Sequence, residues 1–200
     1  MYVRFGKRVC DIVVGLVALP FVLLIIAVLA PFIHFEDKGP VFYNAPRVGK
    51  DGRDFKMLQA ALDAGERARP HHGGRLHLQR RRRPAHDAVG AFMRKTSLDE
   101  MPQFLNVLKG DMSVVGPRPD LRRETELYEG EEGLKLTVKP GITGYAAVYG
   151  RNSLPWHDRL ALDVHYVRNV SFPLDVKVFF KTFSAVFNQE GVFVEDGSEK

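Results

Sequence analysis

The chain has 200 residues, 45% of them hydrophobic, enough for one domain with a packed core, or one domain plus an anchor. A formal net charge of +5 calls for an anionic partner: nucleic acid, phospholipid headgroups or a phosphorylated substrate. The single cysteine, Cys10, excludes an intrachain disulfide and argues against a cysteine-based zinc site, so the globular part reads as cytosolic.

From Val9 to Phe35 the chain is almost wholly apolar, with Asp11 and His34 near the ends of the run. About 20 such residues suffice to cross a bilayer as a helix. Basic residues flank both sides, however: Arg4, Lys7 and Arg8 before it, and Lys38, Arg47, Lys50 and Arg53 after it. A crossing helix concentrates its Lys and Arg on the cytoplasmic side. Pro20 sits mid-run, where it deletes a helical hydrogen bond and forces a kink. A helix broken at Pro20, dipping into one leaflet and returning, accounts for the charges and the proline together, provided its freed carbonyls find partners. A kinked crossing helix and a cleaved signal peptide are the competing readings, the latter without a clear A-x-A cleavage site. Residues 1–36 are thus expected to form a re-entrant membrane anchor and residues 37–200 a cytoplasmic domain.

After the anchor, GPVFY (Gly39 to Tyr43) reads as an extended entry and RVGKDGRDFKML (Arg47 to Leu58) as a hairpin turning at Asp51-Gly52. Periodicity then disappears from Gln59 to Ala88 and returns at Val89. In FMRKTSLDEMPQFLNVLKGDMSVVGPRPD (Phe92 to Asp120), Phe104, Leu105 and Leu108 mark a helix face and Gly110 its stop, with Pro102 near the first turn. Ser97 and Glu100 have the spacing of a capping box, although Pro102 could equally move the helix start later. Further helices are expected around Leu121 to Tyr128, from about Pro155 to Asn169 with Ser153 as cap, and over Phe172 to Phe187. The last is rich in Phe, with Lys177 and Lys181 four apart, and suits either a packed core or the headgroup layer.

Asp99 and Glu100 are adjacent, so on a helix they point roughly 100° apart. That suits divided labour: one carboxylate attacks phosphorus while the other orients it or holds a divalent cation. Arg94, Lys95, Arg118 and Arg151 are the residue types that neutralise a polyphosphate. Taken singly each has a plainer explanation. An acidic pair at a helix start is more often a dipole complement, and Gly116-Pro117-Arg118-Pro119 can be merely a turn. His157 and His165, beside Trp156 and Tyr166, read as helix-packing residues rather than ligands.

Together the motifs say more. RKTSLDEMPQFLNVLKGDMSVVGPRPD, KPGITGYAAVYGRN, SLPW and a D-x-x-Y-V-x-N variant at Asp163 to Asn169 resemble the bacterial sugar transferases, the monotopic phosphoglycosyl transferases. The apolar N-terminus with its proline, GPVFY and RVGKDGRDFKM resemble the same family in the same order, and the likeness covers nearly the whole chain except Gln59 to Ala88. It implies an α+β fold: a small helix-rich domain with a β-hairpin, an N-terminal re-entrant membrane helix and interfacial amphipathic helices. It also implies transfer of a sugar 1-phosphate from a UDP-sugar to polyprenyl (undecaprenyl) phosphate, with release of UMP, at the cytoplasmic face of the bacterial inner membrane. Such a step starts an exopolysaccharide, O-antigen or glycoprotein glycan. By the same resemblance Asp99 attacks the β-phosphorus, Glu100 assists, and both are candidate ligands for Mg²⁺. Arg94 would contact phosphate, Pro117 and Arg118 the nucleotide, and Arg151 and Asn152 the substrate or the local structure around it.

The stretch from Gln59 to Ala88 departs from that pattern, because relatives carry K-x-R-S/T-M after F-x-M and D-x-R-x-T before the glycine equivalent to Gly90. Written as CTC CAA GCT GCG CTC GAT, the codons of Leu58 to Asp63 yield L-K-L-R-S-M once a single C is removed. In the same shifted frame the arginine run yields A-D-D-D-P-R-M-T, and one G restored before Val89 returns the frame. The segment therefore reads as a frameshift between two compensating base changes. The rival reading is a real disordered insert, in a membrane-anchored scaffold whose Arg80 to Arg83 hold anionic lipid or nucleic acid. Nucleic acid is the weaker option, since no aromatics interleave with the arginines. The histidines at 71, 72, 77 and 86 lack zinc-site spacing. Which sugar is moved, and whether the chain forms a homodimer, the sequence leaves open.

Overall fold

The computed structural model describes residues 2–37, 42–60, 93, 96–150 and 154–187. The anomalous segment from Ala61 onward, including the arginine run, lies outside them, as do Arg94, Lys95, Arg151, Asn152 and Ser153.

After a π-type turn at Tyr2–Gly6, helix α1 spans Lys7–Asp37. It continues through Pro20 and Pro31, so the break expected at Pro20 is absent. A proline removes one ladder hydrogen bond and can bend a helix without ending it, and the leucines and alanines around these prolines favour continuation. The stretch Lys7–Val28 has a mean hydropathy of 2.8, yet only 17% of its most apolar window is buried. The core helix of a soluble domain is mostly covered, whereas this stretch is mostly uncovered.

The first turns of α1 are tied down by polar contacts. Asp11, itself buried, accepts hydrogen bonds from Ser113 Oγ (2.8 Å) and from the Val114 amide (2.9 Å). Arg8 donates to the carbonyls of Val107 (2.5 Å) and Leu108 (2.8 Å), a cation placed where a helix leaves its last carbonyls unpaired. Lys7 Nζ and Tyr2 Oη both reach Asp175 Oδ2, at 2.6 and 2.5 Å, and Tyr166 Oη donates to Oδ1 of the same carboxylate at 2.7 Å. The start of α1 is therefore fixed by polar contacts as well as by apolar packing of Val14 on the core.

Strands β1 (Phe42–Val48) and β2 (Asp54–Ala60) pair antiparallel, from Phe42 opposite Ala60 to Val48 opposite Asp54. Asp51 (φ 57°) and Gly52 (φ 71°) are both left-handed, as a type I′ turn requires, so the expected hairpin turn is where Asp-Gly placed it. Helix α2 spans Gln103–Lys109 and stops at left-handed Gly110 (φ 103°). Its start differs from the expectation. Ser97 is itself left-handed (φ 54°) and makes no side-chain cap, while Leu98–Glu100 form a separate 3₁₀ turn ahead of Pro102. The capping box fails because Glu100 turns to Arg118 instead of back to the Ser97 amide.

Asn106 of α2 is buried and treats the outer edge of β2 as a partner strand. Its Oδ1 accepts from the Leu58 amide (2.9 Å) and its Nδ2 donates to the Lys56 carbonyl (2.8 Å). This fixes the height of β2 against α2. Asn106→Leu strands both backbone groups, and the expected cost is about 3 kcal/mol, read as a lowered unfolding midpoint in detergent micelles; a change under about 0.5 kcal/mol would contradict it.

Strand β3 (Ser113–Val115) pairs parallel with β4 (Gly141–Thr143). The GPRP turn after β3 packs backbone to backbone on the PGITG loop. A Cβ on Gly116 would lie 2.6 Å from the Lys139 carbonyl oxygen, and one on Gly141 would lie 2.2 Å from the Gly116 nitrogen. The remaining α-helices are α3 (Arg122–Thr125), α4 (Tyr145–Tyr149), α5 (Trp156–Arg168) and α6 (Phe172–Phe187), with a 3₁₀ helix at Glu132–Thr137. The core gathers Ala45, Met57, Val107, Met112, Val114, Val115, Tyr166 and Val178 from the hairpin, α2, β3, α5 and α6. This is a mixed α+β fold, helix-rich with small sheets, as expected. The two histidines beside Trp156 and Tyr166 are exposed, yet each packs on an aromatic ring: His157, paired with Glu132 (2.8 Å), lies 4.9 Å from the Trp156 ring, and His165 lies 5.1 Å from that of Tyr145.

Candidate active site

Two adjacent carboxylates meet two different environments. The 3₁₀ turn at Leu98–Glu100 directs Asp99 inward, where it is 6% exposed and its Oδ2 accepts from Gln59 Nε2 at 3.0 Å. Gln59 reaches it because Asn106 holds β2 at that level. Glu100 is half-buried and its Oε1 pairs with Arg118 Nη2 at 3.0 Å. The guanidinium is otherwise largely exposed, with 66% of the side chain accessible. One carboxylate is thus held by a neutral amide while its neighbour faces an exposed cation, so the two meet different partners.

Arg118 owes its place to the interlocked GPRP turn. Pro117 is fully buried beneath it, and the Pro117 carbonyl accepts from the Gly141 amide at 2.9 Å. Of the residues singled out in the sequence, the structure therefore brings together Asp99, Glu100, Pro117 and Arg118. Pro20 lies far along α1 and is exposed. Arg94, Arg151 and Asn152 fall outside the described residues.

Two carboxylates do not make a closed metal cage. Among the described residues no group of three or more His, Cys, Asp or Glu side chains is placed to hold an ion. That donor set suits Mg²⁺ nevertheless, which keeps most of its waters and is commonly held by one or two carboxylates together with substrate phosphates.

Sequence reasoning did not single out Gln59 as a site residue, because it begins the aperiodic segment; its place two residues after the clear FKM run was the available signal. It also missed a buried polar cluster beside the GPRP turn. Lys135, 6% exposed, reaches Asp120 Oδ2 at 2.6 Å and Asp163 Oδ2 at 3.0 Å, and Tyr128 Oη donates to Asp120 Oδ2 at 2.5 Å. Burial pushes the Asp163 carboxyl above the usual range, opposed by Lys135, and burial together with the Asp120 hydrogen bond pushes the Tyr128 phenol up.

Comparison with known proteins identifies the family. A family model described as bacterial sugar transferase matches residues 2–189. The chain is 38% identical over 203 residues to the exopolysaccharide production protein ExoY of Rhizobium meliloti, covering 94% of this chain and 88% of that one. It is 36% identical to the UDP-galactose-lipid carrier transferase of Erwinia amylovora over 95% of this chain and 42% of that one. Identity is also 36% to the undecaprenyl-phosphate galactose phosphotransferase of Salmonella typhimurium, over 95% of this chain and 42% of the relative. The chain therefore spans less than half the length of these last two.

Proposed function

The chain belongs to the bacterial sugar transferase family, and from that premise we propose that it moves a sugar 1-phosphate from a UDP-sugar to undecaprenyl phosphate and releases UMP. The observation that carries this reading is a single turn that buries Asp99 and pairs the adjacent Glu100 with the exposed Arg118. Arg118 supplies a planar cation for a phosphate oxygen of the nucleotide, and its bond to Glu100 is the one the donor would compete for.

In the first step Asp99 Oδ attacks the β-phosphorus. An O–P bond forms as the bond from that phosphorus to the oxygen bridging the two phosphates breaks, and UMP leaves with the electron pair. An oxygen of the lipid phosphate then attacks the same phosphorus. The Asp99 O–P bond breaks, the carboxylate is regenerated, and the product is a polyprenyl diphosphate sugar. Buried behind a hydrogen bond from Gln59, Asp99 is held in place for attack. Glu100, with Asp99, would hold Mg²⁺, and the ion when bound offsets the charge of the diphosphate.

The apolar face of α1 supports work at a membrane. Val17 is 65% exposed and Leu24 63%, a surface that needs an apolar phase. Both flanks of α1 carry basic residues, so in this reading both ends of the segment stay on the cytoplasmic face of the inner membrane. Helix α6 lies in the headgroup layer, with Phe172, Phe180 and Phe183 about half exposed or more. Lys181 does not extend freely there: its Nζ sits 3.7 Å above the Tyr149 ring. The test is UMP release from a panel of UDP-sugars by membranes carrying the protein, with and without undecaprenyl phosphate. Release that depends on a UDP-sugar supports the reading, and product appearing with no UMP excludes it.

A further inference from the structure

The cluster around Lys135 is not explained by packing alone. Lys135 is nearly inaccessible, and its single ammonium serves two carboxylates from distant parts of the chain, Asp120 and Asp163. Asp163 Oδ1 is buried without a hydrogen-bond partner, so the cluster tolerates an orphaned oxygen in order to keep this arrangement. Buried ionic groups of this kind are a weak source of stability, since desolvation offsets their attraction, and their best-attested use is to fix register. What this one fixes is the far end of the GPRP turn. Asp120 stands two residues after Arg118, with Pro119 between them locking one backbone torsion. Its carboxylate is clamped by Lys135 and Tyr128, and its carbonyl accepts from the Val48 amide at 3.0 Å at the end of β1.

We propose that Lys135 is a positioning residue for the sugar-nucleotide site, clamping Asp120 to Asp163 of α5 so that Arg118 is presented to the donor phosphates. The inference rests on the donor reading given above. It adds that a lysine with no access to substrate controls donor affinity through Arg118, with Asp163 as its second anchor.

A double-mutant cycle on the full chain in detergent micelles tests it, with uridine diphosphate as the probe and calorimetry as the readout. Lys135→Met weakens binding about tenfold, Asp163→Asn does so by a smaller factor, and Lys135→Arg stays within about threefold of the parent. In an Arg118→Ala background, Lys135→Met and Asp163→Asn change binding by less than about twofold, because the group they position is gone. A merely structural lysine gives the same loss in both backgrounds, and that result, or no loss in either, overturns the proposal. Asp163→Asn, nearly isosteric, provides the same comparison if Lys135→Met does not fold. A parent chain that binds no uridine diphosphate refutes the donor reading itself and this inference with it, and differs from the other outcomes because it appears before any substitution is made.

Discussion

Asp99→Asn is expected to lower UMP release by at least about a thousandfold with the fold unchanged. The substitution replaces one oxygen by an amide of nearly the same size, so the turn at Leu98–Glu100 and the contact with Gln59, whose own amide can flip, are both retained. The nucleophile is what is lost: a carboxamide does not attack phosphorus at a useful rate. Glu100→Gln should be milder, about ten- to a hundredfold, because it weakens the pair with Arg118 without removing the attacking atom. Initial rates of UMP release across the two variants, alongside their melting curves, decide this. UMP release that survives Asp99→Asn would remove Asp99 as nucleophile.

The second large effect concerns the segment from Gln59 to Ala88. A chain carrying the shifted-frame sequence there, with K-L-R-S-M at its start and D-P-R-M-T near its end, is expected to release UMP at least about a hundredfold faster than the chain as written. The reason is local and physical. Gln59 is the residue that touches Asp99, and in the shifted frame position 59 is a lysine. A charge-assisted hydrogen bond is roughly twice as strong as a neutral one and favours the ionised carboxylate. It also brings a cation toward the donor phosphates. Gln59→Lys alone should recover part of the gain, since the arginine of the same motif stays missing. Equal rates for the written and shifted chains would contradict the frameshift reading of function, and peptide masses spanning Lys56 to Arg94 from the native gene would show which sequence the cell makes.

The hairpin was readable because Asp51-Gly52 offers two residues that accept a left-handed backbone between alternating strands. The stop of α2 was readable for the same reason at Gly110. Its start was not. Ser97 and Glu100 match the capping-box spacing, but tertiary pairing of Glu100 with Arg118 outcompetes the local cap. Pro20 announced a break and the helix continues through it, since one missing hydrogen bond does not outweigh its neighbours. Within the site, Asp99, Glu100, Pro117 and Arg118 were recognisable by motif. The roles of Gln59, Asn106 and Lys135 were not, because each depends on a contact across about 15 residues or more that no local pattern encodes.

The most direct measurement is the mass of the tryptic peptide Thr96–Lys109 after the protein is incubated with each UDP-sugar and Mg²⁺ in the absence of undecaprenyl phosphate. A gain equal to one sugar phosphate, localised to Asp99 and discharged when the lipid phosphate is added, is the result this account predicts. Turnover of a UDP-sugar with that peptide unmodified, or an adduct that the lipid phosphate cannot discharge, would contradict it.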